Sequence, residues 1–336
     1  MRRAGLLVIL LAAVLLTAAC RPGGPAAQTY KETQFVMDTV VDITAAGPGA
    51  EQAVKAAFGE FQRIHKLANR FDPESQVSRV NALAGREKVK VDPELIEMIG
   101  QSVDTSRKLD GAFDVSVGAL TDLWGVGSKN DFVPTAAEID QVLPLVDYRV
   151  IEIDPAAGTV YLPRAGMKLD LGGIAKGYAL TRAVEKLKAA GIGSALVNAG
   201  GDIRVIGTRP GGGAWRIGVQ DPRNADRMVA KIALTEWDSL QTSGDYQRFF
   251  VKEGVRYAHI IDPKSGRQPR ELSSVTLVYR AEGPGDGIAS SGVFVLGPEK
   301  GRAALQRFPG VEAIMVTADG QVLVTPGLAG KVELEK

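Results

Sequence analysis

The chain has 336 residues, with 40 lysines and arginines against 39 aspartates and glutamates, two histidines and one cysteine. A net charge of +1 supplies no basic footprint for nucleic acid, and a lone cysteine excludes an internal disulfide framework.

The first residues read as a targeting signal. Arg2 and Arg3 form a basic start, residues 6–16 an apolar run, and Thr17-Ala18-Ala19 lead as small residues to Cys20. The run is shorter than the ~20 residues of a membrane span, so residues 1–19 are expected to be a bacterial lipoprotein signal and Cys20 the acylated (palmitate-bearing) residue. Lipidation of Cys20 would leave catalysis to oxygen and nitrogen groups. The chain is then expected to be exported and anchored by lipid to a bacterial membrane, facing the periplasm or the cell exterior. Residues 20–33, rich in Pro, Gly and polar side chains, read as a lipidated tether, with one folded domain over 34–336.

Along that domain, residues 34–46 alternate and are rich in Val and Thr, predicting a first strand. Val54, Phe58, Phe61, Ile64 and Ala68 fall three and four apart, predicting an amphipathic helix over 51–69, with His65 a structural residue at the edge of its stripe. Hairpins are expected at 150–154 with 160–163 and at 313–317 with 321–325. Further strands are expected at 194–207, 214–220, 228–235, 238–243, 247–252, 256–261 and 273–280, and helices at 93–109, 173–190 and 286–307, the last broken at Gly297-Pro298. Strands in runs with a few long helices define an α+β class with largely antiparallel sheets.

The chemistry gathers in a few segments. Residues 169–180, LDLGGIAKGYAL, carry a short apolar strand through two glycines into a helix with a lysine in its first turn, a place suited to phosphate. Neither G-x-G-x-x-G nor G-x-x-x-x-G-K-[ST] occurs, so a nucleotide here needs a less common fold. His259 ends a strand before a turn, with 241–246 as its expected hairpin partner, and is the natural general base. Asp286 and Ser290 stand four apart, hence on one face if the segment is helical, as oxygen ligands suited to Mg²⁺. Phe71 in the turn 70–81 and Phe113 in 111–118 offer flat apolar contacts for an aromatic ring system, with Asp and Ser for its polar edge. The turn 198–202 reads equally as a plain reversal and as a ligand contact.

Taken in order, Met37-Asp38-Thr39, the turn 75–81, GAFDVSVG at 111–118 with Leu123-Trp124-Gly125, LDLGGIAKGYAL, VNAGGD at 197–202, TSGDYQRFF at 242–250, HIIDPKSG at 259–266 and the Asp286 segment ending VFVLG at 293–297 resemble the ApbE family of FAD:protein FMN transferases. The resemblance covers nearly the whole mature chain. It implies a T-fold-like α+β architecture and a Mg²⁺-dependent enzyme that cleaves FAD, releases AMP and joins FMN through its phosphate to a threonine or serine hydroxyl of an acceptor protein, a subunit of a membrane redox complex. It also implies that Met37, Phe71, Ala112, Phe113 and Asp114 contact the flavin or adenine portions and that Asp170 and Lys176 contact FAD. By the same resemblance Gly173 (through its carbonyl), Asp286 and Ser290 hold magnesium, and His259 lies near the reacting phosphate.

Two departures from the family pattern bear on the site. D-G-I-A-S stands where D-A-x-[AS]-T is usual, with one extra residue before VFVLG, which leaves Ser290 and Ser291 as alternative metal ligands. Phe71 stands where relatives carry Tyr, which removes a hydrogen bond at the adenine end. An FAD pyrophosphatase giving FMN and AMP, and a non-catalytic flavin-binding lipoprotein, remain the alternatives.

Overall fold

The computed structural model describes residues 28–127, 132–281 and 289–335; Cys20 and Asp286 lie outside the described residues. Strands β1 (Thr29–Val36) and β2 (Thr39–Ala46) form an antiparallel hairpin in which Thr29 faces Ala46. This corrects the single strand expected over 34–46 and places part of β1 on residues 29–33, within the expected tether. The chain reverses at Met37 and Asp38, both with φ 56°, the paired left-handed conformation of a tight hairpin turn. Neither residue is Gly or Asn, so the sequence carried no turn signal there.

Helix α1 (Ala50–Ala68) buries the expected stripe of Val54, Phe58, Phe61, Ile64 and Ala68. Helix α2 (Gln76–Ala82) converts most of the expected turn 70–81 into a short helix, because the Ser75 hydroxyl accepts the Ser78 N–H at 3.0 Å and so caps its open N-terminus. After strand β3 (Val89–Lys90), helix α3 (Pro93–Lys108) starts at the Asp92 cap with proline in its first turn. Helices α4 (Gly118–Trp124) and α5 (Ala136–Val142) follow, α5 opened by a Thr135–Glu138 capping box. Strands β4 (Glu152–Asp154) and β5 (Thr159–Tyr161) form the first expected hairpin. Helix α6 (Ala175–Ala189) leads to β6 (Ser194–Ala199) and β7 (Asp202–Ile206), which split the expected strand 194–207 at Gly200-Gly201.

The remaining strands are β8 (Trp215–Asp221), β9 (Asn224–Leu234), β10 (Ser239–Gly244), β11 (Phe249–Lys252), β12 (Val255–Ala258) and β13 (Leu272–Tyr279). Helix α7 (Ser290–Leu305), bent at Gly297-Pro298 as expected, precedes β14 (Glu312–Thr317), β15 (Val322–Val324) and β16 (Val332–Leu334).

The main sheet has the order β1-β2-β6-β7-β10-β13-β14-β15, with antiparallel neighbours, so the architecture is α+β. Strand β13 shows how the layers form. Val275 and Leu277 join the cluster around Phe294 of α7, while Val278 joins the cluster of Ile217 and Ile232 from β8 and β9. That alternation follows from the period of two along a strand, and it buries all eight residues of β13. At the other end of the sheet, α1 and α6 cover Ile43 and Val197 with Phe58, Ala179 and Ala183.

The strand leading to His259 does not pair as expected. Strand β12 pairs with β11, whereas β10 pairs with β7 and β13. The β11–β12 hairpin is held by aromatic packing: Tyr257 stacks between Phe250, at 5.1 Å, and Trp124, at 5.6 Å. Trp124 is buried and its indole N–H donates to the Gly266 carbonyl at 2.7 Å, which satisfies the one polar atom of a large apolar ring.

Candidate active site

A cavity of about 490 Å³ opens where the β1–β2 turn, the loop after α1, the N-terminal end of α6, strand β10, the residue after β12 and the start of α7 converge. The size suits a cofactor-scale ligand. It brings together Met37, Phe71, Ala112, Phe113, Asp114, Asp170, Gly173, Lys176, His259 and Ser290, which lie up to 253 residues apart in sequence (290 minus 37).

The glycine turn before α6 is built by Asp170, whose Oδ1 accepts the Gly172 N–H at 2.9 Å. Gly173 has no room for a side chain: a Cβ there would lie 2.8 Å from Cε2 of Phe113 and 3.5 Å from Oγ of Ser291. The backbone is thus pressed against an aromatic ring and a hydroxyl at the start of a helix, where N–H groups and the helix dipole favour an anion. Lys176, in the first turn of α6, is not loose. Its Nζ lies 3.1 Å from Oδ2 of the buried Asp202, whose Oδ1 accepts the Thr242 N–H at 3.1 Å.

Asp114 lines the cavity and is tied into its wall. Its Oδ1 accepts from the N–H and hydroxyl of Ser116, at 2.8 and 2.6 Å, and its Oδ2 from the Tyr148 N–H at 3.0 Å. Burial raises its pKa above the ordinary carboxylate value, and those hydrogen bonds oppose the rise. Both oxygens are therefore engaged in shaping the loop that presents Ala112 and Phe113.

His259 is half-buried, and its Nδ1 lies 3.3 Å from the Arg248 carbonyl. A carbonyl only accepts, so Nδ1 carries the proton and Nε2 keeps its lone pair. Burial and then the charge of Arg248 lower the pKa to about 3; the hydrogen bond to the Arg248 carbonyl opposes them, and the charge of Lys176 adds a smaller lowering. The imidazole is neutral at physiological pH and able to take a proton at Nε2.

The two serines are now distinguishable. Ser290 is buried; its N–H donates to Gln241 Oε1 at 2.9 Å and its Oγ sits 2.8 Å from Ser243 Oγ. The Ser291 hydroxyl stands against Gly173. Among the described residues no group of three His, Cys, Asp or Glu could hold a metal ion. The Ser291 hydroxyl beside the Gly173 backbone is oxygen chemistry of the kind a hard cation takes.

His65, read from the sequence as structural, lines the cavity, as do Asn69, Arg70, Gln241, Ser243 and Arg248, which sequence reasoning did not single out as individual site residues. Arg70 stood beside the chosen Phe71, and Gln241, Ser243 and Arg248 in or next to TSGDYQRFF, but only the fold turns their side chains inward.

The ApbE family model matches residues 37–315. A FAD:protein FMN transferase of Treponema pallidum (strain Nichols) is 32% identical over 351 residues, covering 99% of this chain and 95% of that protein. One of Klebsiella pneumoniae (strain 342) is 34% identical over 272 residues, covering 78% and 84%. The crystal structure of the ApbE protein from Thermotoga maritima MSB8 superposes with a TM-score of 0.83 at 33% identity, covering 90% of this chain and 99% of that one. The flavin transferase ApbE from Vibrio cholerae gives 0.79 at 26%, covering 91% and 99%. The family model and these relatives mark the chain as a transferase of the FAD:protein FMN type. The chain belongs to the ApbE family.

Proposed function

We propose that this chain transfers FMN from FAD to a threonine or serine hydroxyl of an acceptor protein and releases AMP. The observation that carries the reading is the convergence, in one cavity, of the α6 glycine turn, Lys176 and a neutral His259 whose Nδ1 is already committed as a donor. In the reaction the acceptor oxygen bonds to the flavin-side phosphorus, the pyrophosphate P–O bond breaks, and AMP leaves with the electron pair. His259 Nε2 takes the hydroxyl proton. The helix N-terminus and Lys176 stabilise the charge gathering on the phosphate oxygens, the main need of an in-line phosphoryl-type displacement. Phe113 and Met37 supply apolar surface for the ring systems, and Asp202 holds Lys176 in place.

Gly173, Ser291 (or Ser290) and Asp286, the last outside the described residues, would hold Mg²⁺, which when bound supplies charge neutralisation at the phosphates. Acylation at Cys20, also outside the described residues, would hold the enzyme to a bacterial membrane, facing the periplasm or the cell exterior, near membrane redox subunits.

The test is AMP release from FAD and Mg²⁺ with and without an acceptor domain bearing a threonine motif. AMP that depends on the acceptor supports the transferase. Equal AMP without acceptor would make the chain a pyrophosphatase, and tight FAD binding without AMP would make it a carrier.

A further inference from the structure

Phe71 is 69% exposed at the cavity, while the Arg70 side chain beside it is only 6% exposed. That reverses the usual placement of an aromatic and a charged residue. The guanidinium carbon lies 4.6 Å from the centre of the Phe71 ring. Nη2 of Arg70 donates to Asp122 Oδ1 at 2.5 Å and to the Gly118 carbonyl at 3.0 Å, and Nε is 3.8 Å from Asp170 Oδ2. Asp122 is steadied in turn by Lys168, 2.5 Å from its other oxygen. Nε and Nη1 are buried without a hydrogen-bond partner. The group is therefore anchored at one corner of its fork, and its central carbon lies over the neighbouring ring.

We propose that Arg70 is a positioning residue that backs one face of Phe71 and presents the other face to a flat heteroaromatic ring of the bound dinucleotide. The inference rests on the flavin-dinucleotide reading above. A planar, weakly hydrated guanidinium stacks on an aromatic ring where an ammonium would not cover it. The Asp122 and Gly118 contacts fix that plane, so the ring of Phe71 is held ready for its ligand.

The experiment is FAD titration of the full chain, followed by flavin fluorescence, with Arg70→Lys, Arg70→Ala, Phe71→Ala and the double alanine variant, and with AMP and FMN titrated separately. On the scale of cation–π and stacking energies, Phe71→Ala is expected to weaken FAD roughly tenfold and each Arg70 variant roughly fivefold. The double variant is expected to bind about as weakly as Phe71→Ala alone, since Arg70 acts through that ring. KM should rise more than kcat falls, and whichever of AMP or FMN loses affinity identifies the stacked ring. Arg70→Lys in a Phe71→Leu background, which keeps Asp122 paired, should be silent and serves where Arg70→Ala does not fold. Wild-type chain that binds FAD while Arg70→Lys binds it equally well, or losses that multiply in the double variant, would overturn the inference alone. Wild-type chain that binds no FAD would overturn the functional reading with it.

Discussion

The Nζ of Lys176 and the Oδ2 of Asp202 lie 3.1 Å apart, and the aspartate is buried while its other oxygen takes the Thr242 N–H. The pair joins the first turn of α6 to the main sheet, so a cation lining the cavity is aimed by a residue 26 positions on (202 minus 176). Asp202→Asn keeps an acceptor for Thr242 but offers an amide where Lys176 needs an oxygen. Loss of aim on a charge-stabilising group is expected to lower kcat/KM for AMP release by roughly 10- to 100-fold. Steady-state kinetics check this, with the melting temperature recorded to separate aim from stability.

His259 governs a pH dependence. Its folded pKa, about 3, lies below the unfolded value of ~6.5. Between the two the unfolded chain holds more protons, so stability is at its full value above 6.5 and is lost as pH falls toward 3. His259→Gln should flatten that part of the curve. In activity, kcat/KM for the wild-type chain should show no acid limb at 6.5, and His259→Gln should slow turnover by ~10²- to 10⁴-fold. Replacing Arg248 by Ala removes a neighbouring charge but keeps the carbonyl, so the His259 pKa read by NMR should rise.

Gly173→Ala places a methyl 2.8 Å from the Phe113 ring. The ring or the α6 turn must move, at a cost of about 1–3 kcal/mol. Thermal unfolding should register that cost, and FAD binding should weaken because the displaced elements line the cavity.

The two serines should separate cleanly. Ser291→Ala is expected to raise the Mg²⁺ concentration needed for half-maximal AMP release. Ser290→Ala removes a hydroxyl that faces Ser243 and should act mainly on stability, by about 1 kcal/mol. A metal titration of each variant decides between them, and chelation of divalent ions should stop turnover in the wild-type chain.

Much of this arrangement was readable in the residues, for reasons that differ by element. The stripe of α1 is a local pattern, so that helix stood out. The β1–β2 reversal did not, because Met37 and Asp38 adopt left-handed backbone without glycine or asparagine to announce it. The strand before His259 takes its partner from the adjacent β11 in a local hairpin, while β10 is drawn into the main sheet by β7 and β13, and that non-local choice for β10 carries no signal in the residues. Within the site, glycine turns and the strand-end histidine are visible from composition alone. The parts of Asp114, Asp202 and Arg70 depend on which neighbour each side chain meets, and no spacing in the chain encodes that.

The intact mass of an acceptor domain after incubation with the chain, FAD and Mg²⁺ tests the central claim most directly. A gain equal to FMN less one water on a single threonine or serine, with an equal amount of AMP released, is the expected result. An acceptor of unchanged mass while FAD is consumed would contradict the account.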